Sequence, residues 1–422
     1  LKNILRHLRS SGLLWWILPL TALDLATLFL RTDYWMGIWP EAGAAAQVPA
    51  LLLGIAASGA AAWASGARAR NGLDEQLAAV RLSSARIDAY RLSAVLATFT
   101  FPYVCGVAVA WSVTWPANPP GMSMFFKYVL LGGSVILLSC SWGWLLGKLL
   151  SGRFAAIAAA LSWIIVTMAF GSEAGLSFVS GPPSKDIDLA VLALRSGVMA
   201  TLCISLLFLP SRISIRRMPS RPSMITSVAA GIGVVMAISG TSVITERSVP
   251  GNLPCTSGRI EMCYWPEHEK YRLLMNSISA RAAELPKEFS LPGRIYEYGT
   301  RRQQFHVDGM VHVQAGGDFS IMEGSRWSLS KDLSVTITEE TFSSCDWDAV
   351  RAAEDSSADA IEHWVEIYLA GGGHPDYRLA GVDKGFVTAR EESAVVARTK
   401  TKTEQFVWVQ KKMEHFRGLY CK

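Results

Sequence analysis

Ser211-Arg-Ile-Ser-Ile-Arg-Arg-Met-Pro-Ser-Arg221, leading into the uncharged segment Pro222–Thr245, divides this chain into two unlike parts. Long apolar runs dominate the residues before it. Glu246–Lys422, after it, has the composition of a water-soluble domain. Arginines flanking an apolar span are retained in the cytoplasm by the positive-inside rule. Arg212, Arg216, Arg217 and Arg221 precede the span, so the sequence predicts that Pro222–Thr245 exits on the far side and carries the soluble part with it.

The charge distribution agrees with that division. The 422 residues hold 40 Lys+Arg and 35 Asp+Glu, a formal net charge of +5. Up to Thr245 the count is 18 basic against 9 acidic, and from Glu246 onward it is 22 against 26, so +9 on one part offsets −4 on the other. The basic excess lies in short loops between apolar segments, where it sets topology and does not form a nucleic-acid surface. Nucleic acid is therefore not an expected partner.

Six further spans are expected before the dividing stretch. The first is Gly12–Leu30, taken as retained and not as a cleaved signal segment, because its apolar run is long and an aromatic stretch, Arg31–Trp39, adjoins it as an interfacial belt. The others are about Gln47–Gly66, Leu92–Trp115, Phe125–Leu146, Phe154–Gly171 and Leu189–Leu209. Gly54-xxx-Ser58 offers a small-residue face for close helix packing. Leu1–Ser11, with Lys2, Arg6 and Arg9, reads as an amphipathic segment along the inner surface. On this seven-span map 14 of the 18 basic residues fall on the cytoplasmic side, with the N-terminus inside and Glu246–Lys422 outside.

The cytoplasmic loop Ala67–Arg91 carries a helical stripe. Leu73, Leu77, Val80, Ser84 and Ile87 recur at steps of four, three, four and three, flanked by Asp74, Glu75, Arg81, Arg86 and Asp88. Such a helix either lies on anionic headgroups of membrane lipids or docks a cytoplasmic protein. A short amphipathic start, an Arg-rich loop after the second span and six clustered spans resemble the permease subunits of type-2 ABC exporters. Ala61-Ala-Trp-Ala-Ser-Gly-Ala-Arg-Ala-Arg70, with Arg81, Arg86 and Arg91, is similar to the second-span exit of actinobacterial members of that class. The resemblance covers residues 1–209. It implies that Leu73, Asp74, Glu75, Leu77, Arg81, Arg86 and Arg91 form a coupling helix seated on a separate ATP-binding cassette subunit, which would hold ATP and Mg. It implies a second permease copy or paralogue as well, in a bacterial cytoplasmic membrane. Residues 210–245, the basic loop and seventh span, and residues 246–422, the outer domain, depart from the common pattern.

No ATPase motif lies in this chain. Gly143-Trp-Leu-Leu-Gly147-Lys148 is one residue short of a phosphate loop and lacks the Ser or Thr that should come next. Two charges, Asp24 and Arg195, fall inside spans, where they either pair with each other or line a substrate path, and Arg195 has Asp188 as an alternative partner.

The outer domain reads as α+β. Helices are expected from Trp265, over Ser357–Ala370 and over Glu404–Phe416; strands over Arg294–Tyr298, Gln304–Gln314 and Leu333–Thr338, the last from alternating Leu333, Val335 and Ile337. Its four cysteines suggest two disulfides in an oxidising compartment, Cys255–Cys263 and Cys345–Cys421. His268-Glu269-Lys-Tyr-Arg272 has Arg where a zinc-protease helix needs its second His. His306 and His312 share a face if the strand alternates regularly, with His363 and His374 also in this domain. No metal site and no catalytic residue is expected. The alternative to a permease is a membrane-anchored sensor whose outer domain binds a ligand.

Overall fold

The computed structural model describes residues 8, 12–30, 35–70, 84–150, 154–170, 185–207, 243–307, 310–321, 324–353, 355–373 and 384–421. The Arg212–Arg221 cluster, most of the expected seventh span, and Lys2, Arg6 and Arg9 lie outside them. The chain is mostly helical and divides into two compact units, Leu1–Glu246 and Arg247–Lys422.

The first unit is a helical bundle. Its helices are α1 (Leu13–Phe29), α2 (Trp39–Arg70), α3 (Ser84–Thr114), α4 (Met122–Leu149), α5 (Ala155–Phe170) and α6 (Leu189–Leu207). Among the described residues, α2, α3, α4 and α6 are long and apolar enough to cross a membrane, whereas α1 and α5 are shorter apolar helices. The unit is that of a membrane protein. A two-stranded antiparallel ribbon, β1 (Lys185–Ile187) with β2 (Ile244–Glu246), joins the start of α6 to the end of the unit.

Close packing of α2 on α4 organises the bundle. Ser139, Gly143 and Gly147 recur every four residues along α4 and so share one face. A Cβ placed on Gly143 would overlap the Ser58 backbone, and one on Gly147 would overlap Ala62. Gly54 and Ser58 thus sit in a small-residue seam of the kind that lets helix backbones touch in lipid. Across the opposite side of α2, Ser58 Oγ donates to the Ala159 carbonyl of α5 at 3.1 Å. Dispersion contacts between backbones hold this seam, because lipid offers no hydrophobic drive for helix association.

The stretch read as an interfacial aromatic belt is partly buried core. Trp35 and Trp39 are almost fully buried. The Trp35 indole donates to the Leu28 carbonyl at 2.9 Å, and Trp39 packs on Trp111 and Phe125 with ring centroids 4.8 and 5.3 Å apart. An indole with its N–H satisfied behaves as a large apolar body, and that is how this pair is used. Helix α2 therefore begins well before the expected Gln47.

The second unit is more helical than the α+β expectation. Two short β-pairs, β3 (Glu261–Cys263) parallel to β4 (Arg294–Tyr296) and the hairpin β5 (Arg301–Val307) with β6 (Met310–Gly316), accompany α7 (Arg272–Ala282), α8 (Arg326–Thr341), α9 (Trp347–Ala352), α10 (Ser357–Ala370), α11 (Lys384–Thr399) and α12 (Lys402–Tyr420). The expected strand Leu333–Thr338 is helix. Leu329, Leu333 and Ile337 are buried at steps of four while Val335 is half-buried, and Ser325 caps the start by accepting from the Ser328 amide. Alternation over six residues imitated a strand inside a four-residue helical repeat. The expected helix from Trp265 is a 3-10 turn, Pro266–Tyr271, leading into α7. Helix α10 ends where Gly371 takes a φ of 83°, a left-handed stop that favours glycine. Both expected disulfides are present, Cys255–Cys263 and Cys345–Cys421.

Candidate functional site

The first unit contains a cleft of about 660 Å³ between α1, α2 and α3. Leu13, Trp16 and Leu20 form one wall, and Ala56, Gly59, Ala60, Trp63, Ala64 and Ala67 of α2 form another. Helix α3 contributes Arg91, Thr98 and Phe99. Trp16 and Trp63 are exposed, whereas Thr98 and Phe99 are buried. The cleft is thus open along one side and closed at its base. Small residues on α2 create it, since Ala and Gly leave the space that larger side chains would fill. A mostly apolar surface of this size suits a hydrophobic guest.

Leu13, Trp16 and Leu20 of α1 and Arg91, Thr98 and Phe99 of α3 line the cleft together with α2, the helix that lies between them in sequence. Arg91 stands near the N-terminus of α3. Asp24 lies one turn beyond Leu20 on α1. A Cβ on Gly106 of α3 would overlap its carboxylate, so a glycine is what leaves room for it.

A buried ion pair fixes α3 near the Arg91 end. Lys148 Nζ, on the last turn of α4, donates to Asp88 Oδ2 at 2.9 Å, and both side chains are almost completely buried. Lys148 also lies over the Trp144 ring. Such a pair is costly to bury and more costly to break singly, so it defines where α3 and α4 meet. Sequence reasoning places both residues but does not join them. Their shared side of the expected topology is the available signal.

The predicted coupling residues divide. Leu73, Asp74, Glu75, Leu77 and Arg81 lie outside the described residues. Ser84–Arg91, expected as part of a separate amphipathic helix, are helical but form the first two turns of α3, with Arg86 exposed and Arg91 in the cleft. Asp24 and Arg195 are both buried and do not pair with each other. Nor does Asp188 serve Arg195. Its Oδ1 accepts from the Ala190 and Val191 amides at 2.8 and 3.2 Å and caps α6, and among the described residues Arg195 Nη1 has no hydrogen-bond partner. The Asp188 side chain is held by the helix terminus that precedes Arg195. On the same side of the bundle as β1, Lys127 Nζ pairs with Asp186 at 2.7 Å.

In the second unit, His268 is a core histidine. Its Nδ1 lies 2.6 Å from Glu297 Oε1, and Glu297 Oε2 accepts from the Trp265 amide at 2.9 Å. Glu267 pairs with Arg247, which stacks over Trp265. Glu269 accepts from the Tyr264 hydroxyl at 2.6 Å, which holds its carboxyl below the usual range. Backbone register pairs Phe305 with His312 and His306 with Val311, so these two histidine positions fall on opposite faces of the hairpin. His374 lies outside the described residues. Among the described residues, no three His, Cys, Asp or Glu side chains converge as a metal site.

A polar seam runs where α10 packs against α8 and α11. Glu366 Oε2 accepts from Arg390 Nη2 at 2.9 Å and lies 2.9 Å from His363 Nδ1. Glu362 is on the same face of α10. Burial, then the carboxylates of Asp359 and Glu366, push its carboxyl up to about 7, against the opposing pull of Lys331 and Arg390. Burial raises Asp332 and Asp359 too. Because the folded pKa of Glu362 lies above its unfolded value, stability is full below about pH 4.5 and falls as pH rises to about 7. Above that pH, Glu362→Gln is expected to stabilise this unit by roughly 2–3 kcal/mol. Pulse proteolysis of the full chain in urea at pH 5.5 and 8.0, read on the C-terminal fragment, checks it. A variant midpoint that is unchanged at pH 8.0 overturns the assignment.

No protein-family model, no curated protein and no solved structure matches the chain.

Proposed function

We propose that the chain is the permease subunit of an ATP-driven exporter of the type-2 ABC class, moving a hydrophobic molecule out of the cell. In this reading the bundle and Pro222–Thr245 make seven spans in a bacterial cytoplasmic membrane, with the N-terminus inside and Arg247–Lys422 outside. A separate cytoplasmic subunit binds and hydrolyses ATP with Mg, and a second permease copy or paralogue completes the path.

The observation that carries the reading is the continuity of α3. One helix joins Ser84–Arg91, the end of the Arg-rich segment, to Thr98 and Phe99 at the base of the apolar cleft. The Lys148–Asp88 pair anchors that helix near the same end. Force applied by an ATPase on Ser84–Arg91 would therefore reach the cleft along one helix. The chain's part in the cycle is mechanical: to bind cargo in the cleft and to change its shape, with the chemistry confined to the partner.

The test is purification of the tagged chain in mild detergent, with mass spectrometry and a vanadate-sensitive ATPase assay on the eluate. A stoichiometric ATPase is expected, and Arg86→Glu, alone or with Arg81→Glu, is expected to lower cargo-stimulated ATP turnover at least tenfold. A chain that purifies alone, or with signalling partners only, would favour a sensor. Unchanged co-purification and turnover in the Arg86 variant would remove the coupling assignment.

A further inference from the structure

Asp24 is only 1% exposed, and among the described residues neither of its carboxylate oxygens has a hydrogen-bond partner. The donors around it are committed elsewhere. Tyr103, within electrostatic reach on α3, gives its hydroxyl to the Val129 carbonyl at 2.7 Å. Thr27 donates to the Asp24 backbone carbonyl and not to its side chain. Arg195, the other charge buried inside an apolar helix without an ion-pair partner among the described residues, does not pair with it. Gln47, whose side chain lies near Tyr103 across Gly132, adds another buried acceptor oxygen without a partner. Asp24 and Gln47 thus leave three buried acceptor oxygens without a hydrogen-bond partner among the described residues. A donor completes them, and one carrying positive charge does so most strongly, since an isolated carboxylate is costly to bury.

The cleft supplies the rest of the guest's outline. Its lining on α1 reaches Leu20, one turn from Asp24, and is mostly apolar apart from Arg91 and Thr98. Arg91 to Phe99 spans roughly 12 Å of helix, the length of a medium alkyl chain. We infer that the cleft and Asp24 form one binding site for an amphipathic cation, with a protonated amine on Asp24 and its apolar body lying between Trp16 and Trp63. This rests on the exporter reading for its meaning as cargo recognition. As a binding site it stands without it.

The test uses dodecylammonium carrying a terminal diazirine, with the full chain in lipid nanodiscs, and maps photo-adducts by mass spectrometry. Adducts are expected on Leu13–Phe29 and Ser84–Thr114, falling at least fivefold in Asp24→Asn, a near-isosteric change that removes a buried charge. The matching dodecanol probe is expected to label both proteins weakly and equally. Equal amine labelling of wild type and Asp24→Asn overturns the proposal, and so does dodecanol labelling as strong as that of the amine. A dodecanoate probe that labels best and is lost in Arg91→Gln would overturn it too, in favour of an anion site at the other end. Cation binding without a co-purifying ATPase would remove the exporter reading alone. An ATPase without cation binding would remove the site alone.

Discussion

Gly143→Ala is expected to destabilise the folded bundle strongly, while Gly133→Ala on the same helix leaves it intact. The added methyl is identical in the two variants. At Gly133 it meets nothing within 4 Å. At Gly143 it would occupy the space of the Ser58 carbonyl and Cα, which are backbone and cannot rotate away. Helices α2 and α4 would have to separate along a seam that includes Gly147 against Ala62, and each small pair in it depends on the others. The cost sits at the top of the overpacking range, about 3 kcal/mol. Gly→Ala in a helix interior otherwise stabilises by roughly 1 kcal/mol, so propensity and packing oppose each other and packing wins by a wide margin. Fluorescence-detected size exclusion of both variants in mild detergent separates them. A monodisperse Gly143→Ala peak at the wild-type position would mean that the seam does not hold the bundle.

Breaking Cys345–Cys421 is the second large expectation. The bond closes a loop of 76 residues. In the chain-entropy account a loop of that size contributes about 4 kcal/mol by restricting the unfolded chain. The bond lies where the Asp346 amide donates to the Tyr420 carbonyl at 2.8 Å. Beside it, Phe342 packs on Phe416 with ring centroids 4.7 Å apart. Losing the link therefore frees the end of α12 from the end of α8 as well as lengthening the open chain. Cys345→Ser with Cys421→Ser is expected to lower the urea midpoint of the second unit far more than Cys255→Ser with Cys263→Ser, whose loop closes over a separation of 8. Equal midpoints for the two double variants would contradict the entropic account.

Much of the fold is legible in the sequence, for identifiable reasons. Apolar runs long enough to cross a bilayer are hard to imitate, so α1, α4, α5 and α6 are located to within a few residues of their ends. Helices α2 and α3 start earlier than expected. For α2 the reason is that Arg31–Trp39 reads as an interface until Trp39 is seen packed against Trp111. For α3 it is that Ser84–Arg91, polar on one face, reads as a separate cytoplasmic helix and not as the start of the span. Helix α10 is found entire, since Ile361, Trp364, Val365 and Tyr368 keep helical spacing and Gly371 stops it. Helix α8 is missed because alternating Leu333, Val335 and Ile337 fit both periods over six residues, and Leu329, which decides between them, lies outside that window. Helices α9 and α11 are not anticipated either.

The site is less visible. Asp24 stands out as a charge inside a span, but nothing in the sequence reports that Gly106 shelters it or that Tyr103 is turned to Val129. The Lys148–Asp88 pair joins residues 60 apart through packing alone. Asp188 capping α6, and so unable to serve Arg195, is likewise a matter of three-dimensional geometry.

Pro102 gives α3 a property that a uniform rod lacks. Proline removes the helical hydrogen bond to the carbonyl four residues earlier, here Thr98, and loosens the helix at that turn. Thr98 is also at the base of the cleft. The fulcrum of the helix thus coincides with the floor of the site. From Ser84 to Pro102 is a lever arm of roughly 27 Å, and from Pro102 to Thr114 roughly 18 Å. A 10° swing about this point that carries Asp88 and its partner Lys148 along moves the Ser84 end by about 5 Å, the scale of a hinge motion, while the turn that holds Gly106 against Asp24 stays nearly still. The cleft would then widen or close around a stationary carboxylate.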